Sequence, residues 1–358
     1  MIRHIAAVLL GVALGAGAAT AQTCGALPNT LANGTNADAT QVMANFTALL
    51  NCINALPSSN GSLVPAQGRL TLTTGTPVMS ASVSAATTVY YTPYAGNQIA
   101  ISNGASFVPT AFTELSNITT NSSTGNAGPA AVAANGNYDL FVWSNSGTPT
   151  LTRGPAWTTD TTRNLALQRI NGIWTNGSAI ANGPAANLGT YVGTVRSDGS
   201  SQINWQLGGV AANGTAAVLG VWNLYNRVSF AGFIGDTTVN WTYSSTTIRP
   251  ANNSSTMRAS FVQGLIEDVF DVTYNALASQ SGGGAMVGIG YDSTTAFTGQ
   301  IGHNSSGSGA TQVYGSHRVQ ALGFHYVQAC EQSDAAGSHT FYGSGGSAQS
   351  GLTYTGRF

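Results

Sequence analysis

Residues 38–56 read DATQVMANFTALLNCINAL, the one long helical stretch in a chain otherwise written in short strands. Val42, Phe46, Leu49, Ile53 and Leu56 recur at alternating steps of four and three, the d-a-d-a-d register of a coiled-coil seam. Asn45, Thr47, Ala48, Asn51 and Asn54 make the opposite, polar face. Asp38 with Gln41 three residues on predicts a capping box, and Pro57 stops the helix. A helix this short barely forms alone in water, because nucleation is costly. Its apolar stripe must therefore be buried. Two partners fit: two further copies of itself, giving a trimer, or the chain's own domain.

Working outward, the 358 residues carry a formal net charge of −1, and only 6% are charged. There is no lysine; all eleven basic residues are arginine, scattered singly. Neutralising phosphates needs clustered cations, so nucleic acid is not an expected partner. Forty-five glycines among many Ser, Thr and Asn, with 42% hydrophobic residues, suit β-structure with a hydroxyl- and amide-rich surface. Toward the N-terminus, Arg3 and His4 precede the apolar run Ile5–Ala16, which is too short to span a bilayer, and then the small-x-small site Ala19-Thr20-Ala21. Residues 1–21 are thus expected to be a signal peptide, with no membrane span after its removal and a secreted, extracellular location; the alternative is an uncut leader that stays as an anchor. An oxidising compartment makes Cys24 and Cys52, which bracket the helical segment, the natural disulfide pair, worth roughly 3–4 kcal/mol in the chain-entropy model. Cys330 is then odd and reads as a buried thiol in a late strand, or as one half of an intermolecular bond.

Several long strings carry a family resemblance. PNTLANGTNADATQVMANFTALLNCINA (28–55) resembles the N-terminal adaptor segment of bacteriophage and prophage fibre or spike proteins. GRLTLTTGTPVMSASVSAATTVYYTPYAGNQIAISNGASFVPTAFTELSN (68–117) is similar to a module of tail-fibre-like and head-fibre-like proteins. The likeness continues in NYDLFVWSNSGTPTLTRGPAW (137–157), LQRINGIWTNGSAIANGPAANLGTYVGTVRSDG (167–199) and GLTYTGRF (351–358). What it implies is a trimeric, β-rich, surface-exposed and adhesive structural protein, with no catalytic residues to carry over. The leader at Arg3–Ala21 departs from that family, whose fibres assemble in the cytoplasm. It suggests a fibre-like module exported by a bacterium, or a prophage remnant that acquired a leader.

The rest of the chain divides by turn signals. Residues 22–57 form the attachment segment, 58–116 a small β stalk module, 117–129 an Asn/Thr/Ser/Gly linker, 130–207 a second β module and 208–358 a C-terminal head. Asn103-Gly104 and Asn171-Gly172 are hairpin turns. Tyr191–Arg196 and Ile203–Leu207 read as a hairpin around Asp198-Gly199, and Asn226–Phe233 and Val239–Tyr243 as one around Gly235-Asp236. Phe270, Val272, Tyr274 and Ala276 face inward while Asp271, Thr273 and Asn275 face out. The expected fold is mostly β, with a short N-terminal coiled-coil helix and a C-terminal β-sandwich or jelly-roll-like head.

Chemistry is sparse. Glu267, Asp268 and Asp271 form the densest carboxylate group, the residues an envelope-polysaccharide hydrolase would have to use. They read more simply as a solvated face or turn. His303, His317, His325 and His339 crowd the last sixty residues without zinc-ligand spacing, and no calcium loop or nucleophile elbow occurs, so no metal or cofactor is expected. Trp241 and Tyr243, with Arg227, are the candidate glycan contacts, since aromatic faces stack on sugar C–H surfaces. The reading is a homotrimeric, fibre-like structural or adhesion protein presenting a head to surface glycans, attached to a virion or cell-surface protein. The alternatives are a polysaccharide-acting enzyme and a ligand-free structural filament.

Overall fold

A computed structural model describes residues 26–31, 38–55, 65–121, 125–304, 310–343 and 349–358. The signal-peptide reading and Cys24 lie outside these residues. The chain forms two compact units, Met1–Asn60 and Gly61–Phe358.

In the first unit a helix runs over Ala39–Ala55. Asp38 caps it: its Oδ1 accepts the Thr40 N–H at 2.8 Å and its carbonyl accepts the Val42 N–H at 3.0 Å. Asn45 does not face water as expected. It is buried, its Oδ1 accepting the Asn29 N–H at 2.9 Å and its Nδ2 donating to the Asn29 carbonyl at 2.8 Å. The preceding segment is therefore sewn to the helix through Asn45 and Asn29, whose own Nδ2 donates to the Gln41 carbonyl at 3.4 Å. Of the expected seam, Val42 is half-buried, Phe46 is 61% exposed and Leu49 is exposed. Met43 and Leu50, which the register had left out, are exposed beside them. Leu56 and the side chain of Ile53 lie outside the described residues. Cys52 is disulfide-bonded.

The second unit is mostly β. Its largest sheet closes on itself. Phe270–Gln280 pairs with Thr311–Val319, and the path continues through Thr298–Asn304, Ala285–Tyr291, Gly323–Ser333, Arg258–Gln263, Thr215–Leu219, Ile203–Ala211, Ser229–Asp236 and Ser350–Arg357. Ser350–Arg357 then pairs back to Phe270–Gln280, from Asp271↔Thr355 to Asn275↔Gly351. Closure removes the free edges that a charge-poor sheet would otherwise offer to other chains. Two of the junctions are parallel: Thr215–Leu219 with Arg258–Gln263, and Ile203–Ala211 with Ser229–Asp236. Phe270–Gln280 alternates as its sequence predicts, with Phe270, Val272, Tyr274 and Ala276 buried. The Phe270 ring stacks on Phe261 at 4.0 Å and on Tyr354 at 5.5 Å.

Two expected hairpins are replaced by longer-range pairing. Thr190–Arg196 pairs with Asn137–Asn145 in a six-stranded sheet, and only the bridge Ser197↔Ile203 joins it to the next strand. Ser229–Asp236 pairs along its whole length with Ser350–Arg357, while Asn240–Thr242 pairs with His339–Tyr342. Each strand's periodicity states which face is inward, and nothing in it names the neighbour.

The expected boundaries at 116, 129 and 207 are crossed. Val83–Ala86 pairs with Ile203–Ala211, and one hydrophobic cluster extends from Ala66 to Phe358. The stretch read as a linker is fastened from inside. Asn117 is buried in Leu115–Ile118, and Arg153 donates from Nε and Nη2 to the Ala130 carbonyl at 3.1 and 2.7 Å and from Nη1 to that of Ile118 at 3.0 Å. Arg69 plays the same part elsewhere, reaching the carbonyls of Pro77 and Phe358 at 2.9 Å each, and that of Asn226. Burial draws both guanidinium groups down to about 10. Arginine suits this use because its planar fork carries five donors in fixed directions.

Candidate functional site

The three candidate glycan contacts do not form one site. Trp241 is only 9% exposed; its ring stacks on Phe341 at 5.9 Å and its Nε1 donates to Glu331 Oε2 at 2.8 Å. It is a core residue and offers no stacking platform to solvent. Tyr243 is half-buried, with the Arg249 guanidinium 3.7 Å over its ring and its hydroxyl donating to the Thr247 carbonyl at 2.6 Å. Glu331 joins the two aromatics, because Arg249 Nε also donates to its Oε1 at 2.9 Å. Burial pushes the Glu331 carboxyl up from its ordinary value against the pull of these partners. Arg227 lies in a different cluster. It donates to Glu267 Oε2 at 2.8 Å and to Asp268, and sits over Trp222 at 5.2 Å.

The carboxylates are thus placed by arginines. Glu267 and Asp268 lie in the turn before Phe270–Gln280 rather than in a strand, so two adjacent side chains converge on one guanidinium. Asp271, the first outward residue of the strand, pairs with Arg318 instead. Each of the three carboxylates is thus paired with an arginine, and Asp268 also lies 3.7 Å from Arg357.

The histidines are held separately. His325 is buried, with Asp292 Oδ2 2.7 Å and the Tyr291 hydroxyl 2.8 Å from Nδ1, and the Leu322 carbonyl 3.0 Å from Nε2. Asp292 reaches it from a left-handed backbone, φ 49°. That conformation at a strand end is the signal the sequence concealed. His339 is buried 3.5 Å from Asp334, and His317 lies beside Tyr291 at 5.6 Å between ring centres. Among the described residues no three His, Cys, Asp or Glu are grouped to hold a metal ion.

What the sequence reading missed is a pair of cavities at two hairpin turns, with Asn171 in the lining of both. One, about 190 Å³, lies between Ala66, Ala100, Ile173, Thr190 and Tyr225. The other, about 240 Å³, lies between Ser102, Ser106, Phe107, Asn187 and Leu188. Asn171 lines both. It occupies a two-residue turn with Gly172, φ 50° and 86°, the type I′ signature that the Asn-Gly pair predicts. The facing turn is fixed by Asn103, whose Oδ1 accepts the N–H groups of Ala105 and Ser106 at 2.9 and 2.8 Å. Asn176, buried, ties down the third wall: its Nδ2 donates to the carbonyls of Ser178 and Ala185 at 2.9 and 2.8 Å, and its Oδ1 accepts the Gly189 N–H at 2.7 Å. Burial pushes the Tyr225 phenol up to about 12.

No family model and no curated protein matches the chain. Among solved structures it is similar to the Eiger TNF of S. frugiperda, at 10% identity and a TM-score of 0.25, over 37% of this chain and 92% of that one. That likeness is too slight to bear on function. Among the described residues no helix is long and apolar enough to cross a membrane, which says nothing of strands.

Proposed function

We propose that the chain is a secreted, homotrimeric, fibre-like structural or adhesion protein. The observation that carries this reading is the helix Ala39–Ala55, which holds Met43, Phe46, Leu49 and Leu50 in solvent. Side chains of this size on neighbouring turns are what a coiled-coil seam buries, each full burial stabilising by roughly 1.5–3 kcal/mol. Three copies cover such a stripe symmetrically, and the spacing of Val42, Phe46 and Leu49 matches their register. The helix then forms the attachment end of the fibre, toward a virion or cell-surface protein. The closed β unit acts as a sandwich or jelly-roll-like head, and three weak surface-glycan sites on it gain avidity through effective concentration rather than new contacts.

Sedimentation equilibrium of the chain recovered from culture medium tests the assembly. A mass three times that of one chain is expected, and a single-chain mass at all concentrations refutes it.

A further inference from the structure

The two cavities that meet at Asn171 share a neutral lining. Among the described residues no charged side chain lines either of them, and Arg169, beside the first, is committed to the Gly172 carbonyl at 3.1 Å. A charged ligand would lose its hydration there without gaining a counter-ion. A wholly apolar ligand would strand the amides of Asn171 and Asn187 and the hydroxyls of Ser102 and Ser106, and buried unpaired polar groups are costly. The remaining class is neutral, rich in hydroxyl groups, and apolar on one face. Each cavity supplies one aromatic ring for such a face, Tyr225 in the first and Phe107 in the second. Among the described residues nothing hydrogen-bonds to the Asn171 side chain, so its amide is free to serve both cavities. Each is smaller than an ordinary small-molecule site of about 300–1,000 Å³, which suits one ring in each rather than a larger ligand in either.

We infer that this groove, from Tyr225 across Asn171 to Phe107, is a binding site for a neutral oligosaccharide, with one sugar ring on either side of Asn171. It gives the adhesion reading above a ligand class and a place, and rests on the glycan-binding half of that reading rather than on the trimer. The walls need little ordering when a ligand arrives, because Asn103 and Asn176 already fix the turns, and pre-organisation cuts the entropic cost of binding.

The test is binding of the intact secreted chain to immobilised neutral di- and trisaccharides of glucose, galactose, mannose and N-acetylhexosamines, beside sialylated and sulfated counterparts. Three variants are compared. Ala186→Trp and Ala105→Trp, both at exposed positions lining the second cavity, fill it without touching the core. Tyr243→Ala removes the other aromatic candidate. The expected result is binding to at least one neutral saccharide, weakened at least tenfold by either tryptophan and unchanged by Tyr243→Ala, with thermal unfolding of the tryptophan variants unaltered. Neutral-saccharide binding that survives both tryptophan variants overturns the site while leaving the adhesion reading intact. Binding confined to the acidic glycans, or to none, overturns the ligand class. A chain that binds as inferred yet sediments as a monomer contradicts the trimer alone.

Discussion

Arg153 and Asn117 hold one another inside the β unit: Nη1 of the guanidinium donates to the Asn117 Oδ1 at 2.6 Å, thirty-six residues away. Asn117 Nδ2 in turn donates to the carbonyls of Ala127 and Leu151 at 2.8 and 3.0 Å. The pair turns a low-complexity stretch into part of the core, with backbone carbonyls rather than a carboxylate satisfying the charge. Removing the guanidinium leaves several buried carbonyls without donors. Arg153→Met is therefore expected to destabilise the protein by about 3 kcal/mol, read as a lowered denaturant midpoint. Asn117→Leu costs a similar amount, and the double variant costs less than the two added together, because the residues share one network.

Buried phenols set an alkaline limit. Burial pushes Tyr91, Tyr191 and Tyr274 above the usual tyrosine range, and Tyr354 up to about 12. Below about pH 10 both folded and unfolded chains keep these protons, and pH has no leverage through them. Above it the unfolded chain binds fewer protons than the folded one, so stability falls as pH rises. Tyrosinate absorbance is expected to rise in a cooperative step coincident with loss of far-UV circular dichroism. A gradual titration of all tyrosines with the fold intact would contradict the burial.

Cys330 is a free thiol buried in Gly323–Ser333, and burial pushes it up to about 12. A low thiolate fraction and no access both slow its chemistry. The native protein is expected to resist a maleimide, and to take up one equivalent when denatured without reductant, since Cys52 is disulfide-bonded. Rapid labelling of the native chain would show that this strand opens readily.

The Asn171 turn offers a local check. An alanine there keeps the loop length but must adopt φ near 50°, which costs an L-residue with a Cβ about 1–2 kcal/mol. Asn171→Ala should lower the thermal midpoint slightly, whereas Asn171→Gly should be close to neutral for stability and still lose the amide that both cavities share.

Much of this architecture was written locally. The alternation from Phe270 to Ala276, the Asn171-Gly172 turn, the Asp38 cap and the buried Cys330 all follow from residue type and spacing over a few positions. What was not legible is long-range. Ser350–Arg357 closes the largest sheet between Ser229–Asp236 and Phe270–Gln280, and two parallel junctions join strands that are not consecutive. A period of two fixes the buried face and is silent on the partner. The Asn/Ser/Thr/Gly run after Ile118 looked like a linker because its anchor, Arg153, comes from another strand. Trp241 looked like a surface aromatic because Phe341 and Glu331, which cover it, lie about a hundred residues later. The groove at Asn171 was hidden for the same reason: its walls come from five separate stretches from Pro65 to Tyr225, and only its turns leave a mark in the sequence.

On the trimeric reading proposed above, sister chains cover the exposed stripe of Ala39–Ala55. Sedimentation equilibrium of the intact chain beside Phe46→Asp and Thr47→Asp tests it most directly. A three-chain mass for the intact protein and for Thr47→Asp, falling to one chain in Phe46→Asp, is the predicted result. A single-chain mass for the intact protein, or a three-chain mass that persists in Phe46→Asp, would contradict it.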